Sequence, residues 1–199
     1  MAYASWVTPN KVSGNDSVSW TGSAHTGRSS RTTTATFSAS GVESKTLTII
    51  QAGKTEFVDI DDTASVSKSG GTLTITGTTN SSKLTFALTG SNDIGLVLPA
   101  SYLANSVSTN NGAAIAGDPG ASQQFTFSIT FTGIGENTSV SSLVSQLSVT
   151  DNAGHTDTCT ITQAAASPYL TISPTTINLD ASGTAVSVSV SSNTSWTIS

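Results

Sequence analysis

The stretch Phe125-Thr-Phe-Ser-Ile-Thr-Phe131 alternates large apolar side chains with hydroxyl side chains. Because successive side chains of a strand point to opposite faces, this stretch offers one face to a core and the other to water. The same alternation recurs at 46–50, 72–76, 158–162 and 186–190, with turn residues between the runs. The sequence therefore predicts an all-β fold of the β-sandwich kind, with short helices only at 99–103 and 140–146.

The composition excludes several classes of protein. Only 10% of the 199 residues are charged, whereas 35 are serine and 34 are threonine. Seven Lys and Arg residues and a net charge of −5 argue against a helical bundle and against a partner that is a nucleic acid. A membrane partner is not expected either, because no run of about 20 apolar residues is present.

Cysteine use and the first residues bear on the compartment. Cys159 is the only cysteine, so an intrachain disulfide is excluded. The opening Met1-Ala-Tyr-Ala-Ser-Trp6 has neither a basic region nor an apolar region of the kind that a secretory signal needs. We therefore expect the chain to reach a surface by another route, such as incorporation into an assembled particle.

An internal repeat with an offset of 112 residues organises the chain. The fifteen residues Thr46-Leu-Thr-Ile-Ile-Gln-Ala-Gly-Lys-Thr-Glu-Phe-Val-Asp-Ile60 align without a gap with 158–172, and six positions are identical. The same offset aligns Gly71 with Gly183 and 84–86 with 196–198. Between those two anchors the apolar phase slips by one residue, which predicts a bulge or a one-residue insertion in one copy.

These motifs resemble the BACON domain family. The resemblance rests on a last strand that closes on Thr160-Ile-Thr-Gln-Ala164, on Val190-Ser-Ser-Asn-Thr-Ser-Trp-Thr-Ile198, and on Gly27-Arg-Ser-Ser-Arg-Thr-Thr-Thr-Ala-Thr36. It covers 1–53 and 167–199 well, but 56–165 mainly at its ends, because an insertion at 90–120 departs from the pattern. The resemblance implies Ig-like β-sandwiches of a kind common in Bacteroidetes surface proteins and crAss-like bacteriophages, where the domain is a carbohydrate binder or a spacer.

We therefore expect two Ig-like sandwiches, one complete and one split. Residues 56–165 form the complete one, 1–53 are the C-terminal part of the other, and 167–199 are its N-terminal part. The four-residue linker at 164–167 is too short to lead back past a whole sandwich, so we expect 167–199 to complete 1–53 of a neighbouring subunit. The core or inter-subunit candidates are Trp6, Trp20, Tyr169, Leu170, Ile172, Val186, Val188, Val190, Trp196 and Ile198.

Two other interpretations of the split stay open at this point. The sequence could be a piece of a longer repeat protein, or one chain could close on itself by an unusual route. A tail-to-head joint of two subunits is heterologous, so it would generate a ring, a filament or a lattice link.

The sequence shows no set of residues that points to chemistry. We assign no catalytic residue, no cofactor and no metal ligand: His25 and His155 lie in turns, and the acidic run at 59–62 is expected on the solvent face of a strand. Tyr102 is the best exposed aromatic residue for stacking on a sugar, so glycans are a possible partner. Arg28 and Arg31 are expected to bind carbonyls or acidic neighbours.

Together these observations favour a structural protein of a phage virion, a capsid auxiliary or decoration protein. Its partners would be copies of itself and other virion proteins such as the major capsid protein, and its location the capsid surface. A tail or fibre protein is a close variant. The alternative from another class is a carbohydrate-binding or spacer module at a bacterial cell surface.

Overall fold

The computed structural model describes residues 3–199, and within that range all regular structure is β-strand. The strands are β1 (Val7–Pro9), β2 (Trp20–Gly22), β3 (Arg31–Phe37), β4 (Lys45–Gln51), β5 (Val58–Ile60), β6 (Thr63–Val66), β7 (Gly71–Thr79), β8 (Leu84–Asn92), β9 (Ser101–Ala104), β10 (Val107–Asn110), β11 (Phe125–Ile134), β12 (Leu143–Asp151), β13 (Thr156–Gln163), β14 (Leu170–Ser173) and β15 (Ser189–Ser192). The all-β prediction is confirmed.

The two short helices expected from the sequence are absent from the described residues. Residues 101–104 form β9, where Tyr102 and Ala104 are buried and their neighbours are exposed. The other segment leads into β12, where Ser145, Leu147 and Val149 face inward. In both segments burial follows the two-residue period of a strand, so the helix prediction was wrong.

Residues 58–163 form a complete sandwich, here called the central sandwich. One sheet has five strands in the order β10-β9-β11-β7-β5, and the other has four in the order β6-β13-β12-β8. The pairs are antiparallel except for β13 with β6, which run parallel. The alternation in 125–131 places Phe127, Ile129 and Phe131 in the core together with Leu147 and Ile161 of the opposite sheet.

The insertion at 90–120 belongs to this sandwich. It contains the hairpin β9–β10, whose turn residues Asn105 and Ser106 both have positive φ, at 47° and 65°. That is the conformation a two-residue turn requires to match the twist of its strands. Leu96 and Ile115 from the same insertion are buried in the core, so the insertion contributes to the core of the sandwich.

The chain on either side of the central sandwich forms three separate two-stranded sheets. Residues 3–51, here called the N-terminal half, contain the pairs β1–β2 and β3–β4. Residues 169–199, here called the C-terminal half, contain the pair β14–β15. Throughout residues 3–199, no strand of either half pairs with a strand of the other half or of the central sandwich.

The strand register shows that the hairpin β3–β4 corresponds to the hairpin β12–β13 of the central sandwich. Arg31 pairs with Gln51 in β3–β4, and Leu143 pairs with Gln163 in β12–β13. Leu143 follows Arg31 by 112 residues, and Gln163 follows Gln51 by the same 112 residues. The N-terminal half therefore holds the equivalents of β12 and β13, in the register that the sequence repeat implies.

The C-terminal hairpin β14–β15 corresponds in the same way to β5–β7. Ile60 pairs with Gly77 and Ile172 pairs with Val190, so the C-terminal copy has one additional residue between the paired positions. The one-residue slip expected from the sequence is present, but its expected position is wrong. Gly183 donates its N–H to the Asp180 carbonyl, and Gly70 donates its N–H to the Ser67 carbonyl in the same way. Gly183 therefore matches Gly70 rather than Gly71, and the additional residue of the C-terminal copy lies before residue 180.

Candidate self-association surfaces

The N-terminal half and the C-terminal half join the central sandwich through the same junction. At the first boundary the Lys54 N–H donates to the Gly27 carbonyl, and at the second the Ala166 N–H donates to the Ser139 carbonyl, both at 2.8 Å. These donors and acceptors differ by the repeat offset. The boundary between domains is therefore itself a repeated structure.

An asparagine fixes each junction with equivalent hydrogen bonds. The side-chain oxygen of Asn80 accepts the Phe57 N–H at 2.9 Å, and its amide donates to Thr26 and Thr55. Asn193 accepts the Tyr169 N–H at 3.0 Å and donates to Thr138 and Ser167. The sequence analysis did not identify these residues, although Asn80 and Asn193 follow the register of β7 and β15.

The charged contacts of the two junctions differ, and Arg28 provides those of the first. The Arg28 guanidinium donates to the Asn80 carbonyl at 2.6 Å, pairs with Asp118, and lies 3.8 Å from Glu56. The equivalent positions at the second junction are Val140 and Pro168. Arg31 binds the Ser23 carbonyl and the Gln51 side chain, so both arginines have the kinds of partner expected for them.

The N-terminal half leaves its inner face open. Phe37 is 44% exposed, whereas its central counterpart Val149 is 0% exposed. A groove of about 580 Å³ lies between β2 and β3, and its walls include Tyr3, Trp20 and Ala35.

The C-terminal half leaves the matching apolar residues exposed. Val188 is 36% exposed, whereas its counterpart Ile75 is 0% exposed, and Ile198 is 88% exposed. Tyr169, Leu170, Ile172, Val186 and Trp196 are exposed as well, and Val190 is half-buried. All these residues stand at positions that were expected to be core or inter-subunit positions.

The two tryptophans of the N-terminal half are half-buried. The Trp6 ring lies beneath the Arg31 guanidinium, whose carbon is 4.4 Å from the ring centroid. The Trp20 ring meets Tyr3 edge to face, with centroids 5.3 Å apart. Of the two rings, Trp20 lines the open groove.

Tyr102 is not the exposed ring that the sequence suggested. It is 3% exposed and packs at 4.8 Å between centroids against Phe86, because β9 turns it into the core. Burial raises the pKa of its hydroxyl to about 12, and the Leu84 backbone offsets part of that shift. A sugar cannot stack on this ring, so the expectation that Tyr102 is exposed was wrong.

The histidines and acidic clusters have structural contacts. His25 bonds the Ser29 carbonyl at 2.7 Å, and the hydrogen bonds of His155 all go to Asp151 in the same turn. Asp157 accepts the Ile60 N–H, and Asp61 accepts from Thr76. Among the described side chains, no three His, Cys, Asp or Glu residues are grouped as a metal site would require.

The sequence matches no family model and no curated protein sequence. In the part of the chain that the structure describes, no helix is long and apolar enough to cross a membrane. The feature that most directly bears on function is the pair of exposed half-sandwiches, which match different parts of the central sandwich.

Proposed function

We propose that this protein is a non-enzymatic structural component of a phage virion, a capsid auxiliary or decoration protein that assembles head-to-tail through split Ig-like domains. Its partners are copies of itself and other virion proteins such as the major capsid protein. The observation that carries the proposal is the pair of complementary open faces. The BACON-like motifs supply the phage context.

The strand content of the two halves supports self-assembly. The C-terminal half holds the equivalents of β5, β6, β7 and the start of β8, and the N-terminal half holds those of β12 and β13 together with β1 and β2. No strand of the central sandwich that is matched by register has an equivalent in both halves. One half supplies the early strands of a sandwich and the other supplies the late strands, so a C-terminal half and an N-terminal half together can shield both apolar faces from water.

The position of the halves on the central sandwich supports a joint between different molecules. β7 runs from Gly71, beside Ile134, to Thr79, beside Val58. The first junction contacts the end of β7 through Asn80, whereas the second lies near its start, where Asn137 donates its N–H to Lys68. Nine residues of strand separate these poles by about 26 Å. A C-terminal half is thus held away from the N-terminal half of its own chain.

Such a joint uses two different surfaces on each molecule. Each copy offers an N-terminal half at one pole and a C-terminal half at the other, so association continues until it closes a ring or forms a filament. Within a virion this property suits a protein that links or covers a repeated capsid lattice. A tail or fibre position uses the same property.

The alternative function is that of a spacer in a bacterial surface protein. The observation that favours it is the repeated junction, because boundaries with equivalent hydrogen bonds produce a string of evenly placed domains. A carbohydrate-binding role is less well supported, because Tyr102 is buried.

Light scattering on the purified chain, followed by electron microscopy, tests the proposal. We expect particles whose mass is a multiple of 20.1 kDa and which grow with concentration. Proteomics of purified crAss-like virions then tests the location. A monomer at all concentrations would contradict self-assembly, and a reading frame with a lipoprotein signal would favour the bacterial spacer.

A further inference from the structure

We infer that β4 binds residues 176–179 of a second copy as a parallel edge strand, with Ile49 beside the partner copy's residue 177. This inference rests on the proposed head-to-tail assembly and specifies its register. In residues 3–199, β4 pairs only with β3, so its other edge is open. Segment 176–179 is unpaired and lies on the surface.

The central sandwich contains the completed version of this contact. There β13, the counterpart of β4, pairs with β6 in parallel, with Thr160 opposite Thr63, Ile161 opposite Ala64 and Gln163 opposite Val66. Ile161 and Val66 are buried by this arrangement. The edge of β4 that corresponds to the paired edge of β13 therefore lacks the neighbour that β6 provides in the central sandwich.

The register follows from the turn that ends each segment. The turn 67–70 matches 180–183 because both close with the same hydrogen bond between the first and fourth residues. Counting back from that turn places Leu179 at the position of Val66 and Ile177 at that of Ala64. This match also brings the apolar residues of the segment to the inward positions. The other offset, 112, would place Asn178 in the core.

A glutamine side chain supports the same assignment. The Gln163 amide donates to the carbonyls of Gly135 at 2.7 Å, Lys68 at 3.3 Å and Ser67 at 3.4 Å. Gln51, its counterpart, donates to Ser23 at 2.9 Å, which is the counterpart of Gly135. The carbonyls that match Ser67 and Lys68 belong to residues 180 and 181. Gln51 is therefore already positioned to bind the turn that follows the incoming strand.

Two variants that each carry one introduced cysteine, Ile50→Cys and Asn178→Cys, test the register when they are co-expressed and mildly oxidised. Their counterparts Thr162 and Ser65 lie opposite each other on the outer face of the central pair, so neither variant alters a core. We expect a disulfide-linked dimer on a non-reducing gel. Each single variant alone should give none. Cys159 does not compete, because burial raises the pKa of its thiol to about 11.

The matched control replaces Asn178→Cys with Thr176→Cys, which lies on the same face two residues away. Its Cα would be about 8 Å from that of residue 50, which is too far for a disulfide. Equal or stronger crosslinking of this control would overturn the register. Oligomers by light scattering without either crosslink would overturn the parallel contact but leave the proposed function standing. Monomers would overturn both.

Discussion

Replacing Trp196 with alanine should weaken assembly strongly. Trp196 is 47% exposed, whereas Leu84, which begins the similar run Leu84-Thr-Phe86 of the central sandwich, is 0% exposed. A tryptophan has about 250 Å² of surface, so completing the sandwich would bury roughly 120 Å² more of this side chain. At ~25 cal/mol per Å², that burial contributes ~3 kcal/mol, and its loss lowers the association constant ~100-fold.

Sedimentation velocity over a range of concentrations measures this effect. We expect Trp196→Ala to remain folded by circular dichroism and to form oligomers only at ~100-fold higher concentration. Val97→Ala serves as the control, because Val97 is an exposed apolar residue of the central sandwich. If Trp196→Ala assembled at the same concentration as the parent chain, Trp196 would not lie in the joint and the split-domain reasoning would fail.

Three further outcomes follow from the same structure. Deleting 169–199 should leave a soluble monomer with the spectrum of an intact central sandwich, and oligomers of the deleted chain in light scattering would contradict this. Asn80→Ala should lower the free energy of unfolding by ~2 kcal/mol in urea titrations, because Asn80 is fully buried and its loss leaves the half-buried Phe57 N–H without an acceptor. Asn193→Ala, at the exposed junction, should cost less than ~1 kcal/mol. The free energy of unfolding should fall as pH rises from 9 to 12. Burial raises the pKa of Cys159 from 9.0 to about 11 and that of Tyr102 from 10.0 to about 12, so the unfolded chain loses these protons at lower pH than the folded chain does. A urea midpoint that stays constant over this pH range would contradict the prediction.

The strands of the repeat were predictable because their pattern is local. The alternation in β11 and β13 states which face is apolar, and the repeat pairs 46–60 with 158–172. The structure adds the register, which shows that the two copies of the last hairpin match residue for residue.

The position of the slip and the fate of Tyr102 were not predictable, for different reasons. Gly70-Gly71 offers two matches for Gly183, and only the hydrogen bond from Gly183 to Asp180 selects one. Tyr102 lies in an insertion without a counterpart in the other copy, so no repeat indicated which way its ring faces. The strand β9 pairs with β11, a neighbour distant in sequence, and that pairing turns the ring inward.

The junctions connect the local geometry to the proposed assembly. Asn80 and Asn193 make equivalent bonds, so the C-terminal half leaves the central sandwich as the central sandwich leaves the N-terminal half. When a second copy completes each split sandwich, every boundary in the array has this asparagine, and successive domains share one relative placement. Only alternate boundaries also have the ion pairs of Arg28. We therefore expect an array that is regular in geometry but whose successive boundaries differ in their charged contacts.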